Sequence, residues 1–116
     1  MRVIVCGSRN WTSRRWIRSI LLSLPGDTTI IEGEYRGADL IAREIAEELN
    51  MTIEPHPAEW DKLGKRAGPL RNQAMLDSGA DLVLAFHKDL SQSKGTKHMI
   101  EIARKNDIPV MIFPRA

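Results

Sequence analysis

The sequence predicts an α/β protein of three layers: a five-stranded parallel sheet, order 3-2-1-4-5, covered by helices on both faces. Two observations predict it. Short apolar runs alternate with amphipathic segments of about ten residues from one end of the chain to the other. The runs are apolar throughout, as strands buried on both faces are, and strands joined by helices must pair in parallel. Right-handed crossovers then leave few topologies, and this order is the expected one.

Each element follows from its residues. Residues 2 to 6 (RVIVC) read as a buried strand. Residues 12 to 24 read as a helix in which Trp16, Ile17, Ile20, Leu21 and Leu24 keep helical spacing; Thr12 or Ser13 can cap it, and Pro25-Gly26 ends it. A second strand covers residues 28 to 33 (TTIIEG). The next helix runs from Ala38 to Leu49 with a stripe of Leu40, Ile41, Ile45, Ala46 and Leu49, and Asn50 is a suitable stop. Residues 51 to 55 (MTIEP) form a short third strand. Residues 56 to 69 (HPAEWDKLGKRAGP) have two prolines, two glycines and no clean period, and are predicted to be a long functional connection. Helix returns from Leu70 to Ser78, closed by Gly79. Residues 81 to 86 (DLVLAF) make the most apolar strand, and a polar loop (HKDLSQSKG) leads to a helix from Thr96 to Lys105. Residues 108 to 113 (IPVMIF) are the last strand. No internal repeat or low-complexity segment is present.

Composition narrows the function. With 116 residues the chain is expected to be one domain, residues 1 to 116. No apolar run approaches the roughly 18 residues that span a bilayer. The N-terminus lacks the apolar core of a signal peptide, so a cytoplasmic location is expected. One cysteine, Cys6, cannot form an internal disulfide, in keeping with a reducing compartment; a buried inert thiol is the expected state. The formal charge of +2 is too small to argue for non-specific nucleic-acid binding. Arg2, Arg9, Arg14, Arg15 and Arg18 all precede the first acid, Asp27. Such a block is either a solvated helix face or a basic patch.

In the predicted topology the ends of strands 1 and 4 flank the point where the winding reverses. Gly7-Ser8-Arg9 therefore faces the loop from His87 to Gly95. A strand leaving through Gly-Ser toward a helix N-terminus makes an anion site, because unpaired N–H groups and the helix dipole converge there; it can equally be only a tight turn. Ser93-Lys94-Gly95-Thr96 opens the helix after strand 4 in the same manner. Neither stretch fits the Walker A pattern or the Gly-x-Gly-x-x-Gly fingerprint. After strand 2, Gly33 and Gly37 suit a sharp turn. Asp39 either supplies a favourable charge at a helix start, holds Arg36 or Arg71, or accepts from a ribose hydroxyl. Trp60 stands in a polar stretch, and its indole suits a nucleobase or a hydrophobic edge. Arg71 and Asn72, at the expected first turn of a helix, can offer a guanidinium fork and an amide to a phosphate or base edge; alternatively Arg71 bridges to Asp39 or Glu34. His56, His87 and His98 show no metal spacing. His87, at the crevice, is a candidate acid or base.

In order and spacing, GSR after the first strand, G…RGAD..A…A after the second, PAEW…G..AG..RN..M, D.VLAF, KGT….I..A and IPV resemble the DUF2493 family of the SLOG superfamily. That family stands beside the YspA-like and YpsA-related proteins and, more distantly, the lysine-decarboxylase-like LOG proteins. The resemblance covers essentially the whole chain. It implies a Rossmann-like domain that binds nucleotides or nucleotide-derived ligands in a pocket lined by Gly7 to Arg9, Gly33 to Asp39, Arg71-Asn72 and Gly95-Thr96. Two departures stand out. LOG-type phosphoribohydrolases carry Pro-Gly-Gly-x-Gly-Thr-x-x-Glu, whereas here the glycine pair is absent and Met99 stands at the glutamate position, with Glu101 two residues beyond. Glu34 also occupies a place where relatives usually carry a small residue, and a carboxylate there either obstructs an anion or replaces the missing acid.

Three functions follow. The first is a binding module that senses or sequesters a nucleotide-derived small molecule. The second is hydrolysis of a nucleotide N-glycosidic bond, with Arg71 positioning phosphate and Glu34, His87 or Glu101 as acid or base. The third is a DNA- or RNA-interacting domain, suggested by the arginine block and by distant DprA-like relatives, against which the balanced charge argues. No metal or cofactor is expected, and the small open sheet, with the dimers of LOG-like relatives, leads us to expect a homodimer.

Overall fold

The structure is a computed structural model and describes residues 1–114. Five parallel strands, β1 (Arg2–Gly7), β2 (Thr29–Glu32), β3 (Thr52–Pro55), β4 (Leu82–Phe86) and β5 (Val110–Phe113), form one sheet in the order β3-β2-β1-β4-β5. The predicted Rossmann-like α/β topology is therefore the observed one. β1 lies at the centre, with Val3 opposite both Ile30 and Leu82, and Gly7 opposite Phe86.

Side chains alternate between the two faces, as strand geometry requires. Val3, Val5, Ile30, Leu84 and Phe86 pack under α1 (Arg14–Leu22) and α2 (Ala38–Glu48), meeting Ile17, Leu21, Ala42, Ile45 and Ala46. Ile4, Cys6, Ile31, Val83 and Ala85 face the opposite layer, where Met75, Leu76, Met99, Ile100 and Ala103 come from α4 (Ala67–Asp77) and α5 (Gly95–Lys105). Burying each large aliphatic side chain contributes about 1.5–3 kcal/mol, so two such cores press the sheet between them.

Local signals place the ends. Ser13, rather than Thr12, caps α1, its Oγ accepting from the Trp16 N–H. Asn50 (φ 57°) follows α2 in the left-handed conformation expected of a helix stop. α2 starts at Gly37, whose φ of 86° favours glycine, and a Cβ there would collide with the Ser8 and Arg9 carbonyls. This close approach joins the exit of β1 to the start of α2.

Three expectations are corrected. Residues 56 to 69, read as loop, contain α3 (Trp60–Leu63), a 3₁₀ turn (Gly64–Arg66) and the first turn of α4. Gly68-Pro69 does not delay that helix, because Pro69 sits where an N–H has no intrahelical partner. Arg71 and Asn72 consequently lie in the second turn rather than the first. Trp16, placed in the buried stripe, is 37% exposed and stands at the flank, its ring 5.8 Å from that of Phe113. Ile17 and Leu21 cover the sheet instead. The buried indole is Trp11, 5.5 Å edge-on from Phe86, with Nε1 donating to the Ser13 carbonyl at 2.9 Å.

The early arginines are mostly paired. Arg14 bonds Glu44 and Glu48, and Arg18 bonds Glu48 at 2.9 Å, tying α1 to α2. Arg2 bonds Glu54 at 2.8 Å. Among the described residues no helix is long and apolar enough to cross a membrane.

Candidate functional site

The predicted site residues gather along the C-terminal edge of the sheet. β1 leaves through Gly7, where a Cβ would strike the Phe86 carbonyl and the Ala38 side chain. Ser8 then knots the crest together. Its N–H donates to the Phe86 carbonyl at 2.9 Å, and its own carbonyl accepts from Trp11 and Ala38, each at 3.1 Å. Its Oγ accepts from the Asn10 N–H at 3.0 Å. Arg9 projects from this knot, exposed and without an ion pair among the described residues.

The turn after β2 is arranged differently from a simple phosphate loop. Two of its N–H groups are taken by the chain's own carboxylates: Asp39 Oδ2 accepts from Tyr35 at 3.4 Å, and Glu32 Oε2 accepts from Glu34 at 2.5 Å. The predicted loop from Gly33 to Asp39 thus supplies side chains and a carbonyl to the crest, while those amides stay occupied. Arg71 lies over the turn, Nη1 donating to the Gly33 carbonyl at 2.7 Å. Gly33 permits this because a Cβ would run into the guanidinium and crowd the Asp39 carboxylate.

Burial pushes Asp39 up to about 7; the Arg71 charge opposes this rise and Glu32 adds to it. Glu32 is fully buried and likewise raised by burial, and its Oε1 has no hydrogen-bond partner among the described residues. Beneath them the buried Cys6 thiol is pushed far up, first by burial and then by Asp39, which makes it a poor nucleophile.

Arg71 is also held from its other side. Its Nε donates to Asn72 Oδ1 at 3.0 Å, and Asn72 Nδ2 donates to the Gly95 carbonyl at 3.1 Å and stands 3.2 Å from His98 Nδ1. Asn72 is 4% exposed, so its amide joins α4 to the start of α5 and orients Arg71. At α5 the buried Thr96 donates its N–H to Ser93 Oγ at 3.1 Å, while Gly95 borders open space.

The three acid-base candidates do not converge. Glu34, with φ 54°, pairs with Arg43 of α2 at 2.6 Å, its backbone in the left-handed region that glycine adopts most readily. His87, after β4, accepts through Nδ1 from the Asp89 N–H at 3.1 Å. Glu101 lies on the flank of α5, in a shallow depression of about 400 Å³ shared with Lys94, Lys97 and His98. Trp60, 45% exposed, stands edge-on to Tyr35 with ring centres 6.2 Å apart.

Glu32 opens the candidate stretch Glu32 to Asp39 in the sequence, which gives it no role of its own. Its signal was a carboxylate closing an otherwise apolar strand, which period alone cannot distinguish from the first polar residue of a loop. No group of three or more potential metal ligands occurs among the described residues.

Comparison with known proteins agrees with this architecture. A family model described as the YspA, cpYpsA-related SLOG family matches residues 1–63. Gene 61 protein of Mycobacterium phage D29 is 40% identical over 121 aligned positions, covering 97% of this chain and 95% of that protein. The X-ray structure of DNA processing protein A from Streptococcus pneumoniae shares the fold with a TM-score of 0.81 at 17% identity; it covers 99% of this chain, which spans only 50% of that structure. The family model spans more than half of the 116 residues, and the chain belongs to the YspA, cpYpsA-related SLOG family.

Proposed function

We propose that the crest of the sheet binds an anionic, nucleotide-derived small molecule, for sensing or sequestration. The observation that carries this reading is the state of Arg71. Gly33 and Asn72 hold its Nη1 and Nε, while Nη2 makes no hydrogen bond among the described residues. A guanidinium oriented from behind with a donor to spare is suited to a phosphate. Arg9 and the small residues Gly7, Ser8, Gly95 and Thr96 border the same edge. Isothermal titration calorimetry over nucleoside monophosphates and ADP-ribose tests it, with Arg9→Ala and Arg71→Ala as controls. Absence of any ligand, or binding indifferent to both variants, ends the proposal. Light scattering of the purified chain tests the expected homodimer.

A second reading, hydrolysis of the nucleotide N-glycosidic bond, is favoured by Asp39, whose carboxyl burial pushes up to about 7 against the opposing charge of Arg71. A carboxyl poised near neutrality suits proton transfer. This reading requires free base to be released from a nucleoside monophosphate, and chromatography that finds none across the common nucleotides excludes it. The name of the fold neighbour, DNA processing protein A, brings a nucleic-acid partner into consideration. Against it, Arg14 and Arg18 are spent on Glu44 and Glu48. A salt-independent response to single-stranded DNA would remove that partner.

A further inference from the structure

Beside the turn after β2, reached through Tyr35, lies a recess that shares no lining residue with the anion site. It is an open depression of about 410 Å³, lined by Ala58, Glu59, Trp60, Asp61 and Lys62. Trp60 is the largest side chain in it and nearly half exposed, in a chain whose Trp11 is buried. Two contacts hold the indole. Tyr35 meets it edge-on at 6.2 Å between ring centres, and its six-membered ring rests against Gly68, where an added Cβ would come within 3.1 Å of it.

Both contacts lead back to the anion site. Gly68 and Arg71 are three residues apart on α4, so they share a helix face about one turn, or roughly 5 Å, apart along the axis. Tyr35 lies two residues beyond Gly33, whose carbonyl holds Arg71. The indole and a guanidinium with a donor to spare are thus carried by neighbouring positions of one helix and one turn, so that a single nucleotide can address both. Glu59 and Asp61 flank the indole, exposed, and neither forms an ion pair among the described residues. A carboxylate only accepts hydrogen bonds. Guanine presents two adjacent donors, N1–H and the exocyclic amine, which a carboxylate bonds in a fork. Adenine sets a lone pair beside its amine, and that lone pair would face the negative oxygen.

We infer that the recess around Trp60 receives the base of the bound nucleotide and selects guanine, the indole stacking on the ring while Glu59 and Asp61 accept from its donor edge. This rests on the crest binding an anionic nucleotide-derived ligand, and it names the class of base.

Calorimetry with guanosine 5′-monophosphate, adenosine 5′-monophosphate and ribose 5-phosphate separates the two. The guanine nucleotide is expected to bind at least about tenfold more tightly than either of the others. Trp60→Ala should weaken it about tenfold, as loss of a stacking partner does, while leaving ribose 5-phosphate unchanged and Trp60→Phe close to wild type. Glu59→Gln combined with Asp61→Asn should abolish the preference for guanine over adenine. If all three ligands bind equally and only Arg71→Ala weakens them, the anion reading stands and the base recess is wrong. If none binds, both fall. Circular dichroism of each variant confirms that it has folded.

Discussion

Arg71 and Gly33, 38 positions apart, meet at the crest of the sheet, the guanidinium donating to the glycine carbonyl at 2.7 Å. The contact fixes a cation over a turn whose two carboxylates, Glu32 and Asp39, are buried. The Arg71 charge opposes the rise of both carboxyls, and Arg43, itself paired with Glu34 and Glu47, also opposes that of Glu32.

This pairing makes Gly33 as important as the arginine. Gly33→Ala should destabilise the protein by about 1–3 kcal/mol, because the methyl enters the space of the guanidinium. It should also weaken nucleotide binding, whereas Gly26→Ala, which borders open space, should change neither property. Thermal melts and calorimetry of the two variants check this.

Asn72 joins Arg71 to the Gly95 carbonyl from a buried position. Asn72→Ala leaves both of those groups short of a partner and should cost about 1–3 kcal/mol. Asn72→Asp keeps the acceptor for Arg71 but loses the donor to Gly95, so it should retain more ligand affinity than the alanine variant. Urea unfolding beside ligand titration measures the two effects separately.

Asp39 gives stability a definite pH dependence. Its folded value, about 7, lies above its ordinary 3.8, so the native state binds a proton that the unfolded chain has released. Stability from this group is therefore greatest below about pH 4, declines as pH rises toward about 7, and is flat beyond. Glu32 is shifted in the same direction and adds to the decline. Glu54 works oppositely: His56 and Arg2 hold it down at about 2, so its contribution is present above the ordinary 4.5 and is lost as pH falls through 2. Melting temperature followed from pH 4 to 8, at about those limits, should fall for the wild type and vary less for Asp39→Asn.

The α1–α2 ion pairs are exposed and should matter little. Arg14→Ala together with Arg18→Ala should lower stability by less than about 1 kcal/mol in dilute buffer, and by nearly nothing near 1 M salt. Ligand affinity should be unaffected. A loss of ligand binding in this variant would show that the arginine block belongs to the site after all.

The sequence by itself determined the layers and the strand order, because these rest on local quantities. Apolar runs, helical spacing and the Gly-Ser and Arg-Gly-Ala-Asp junctions are properties of neighbouring residues, and right-handed crossovers leave one natural way to wind them. Tertiary structure decided what those residues do to one another. Only folding brings Arg71 over Gly33, hands the amides of Glu34 and Tyr35 to Glu32 and Asp39, turns Asn72 from a ligand candidate into a clamp, and sets Trp60 against Gly68. Each of these depends on burial and on an approach between distant segments, which set the cost of a charge and the direction of a hydrogen bond and leave no periodic trace along the chain.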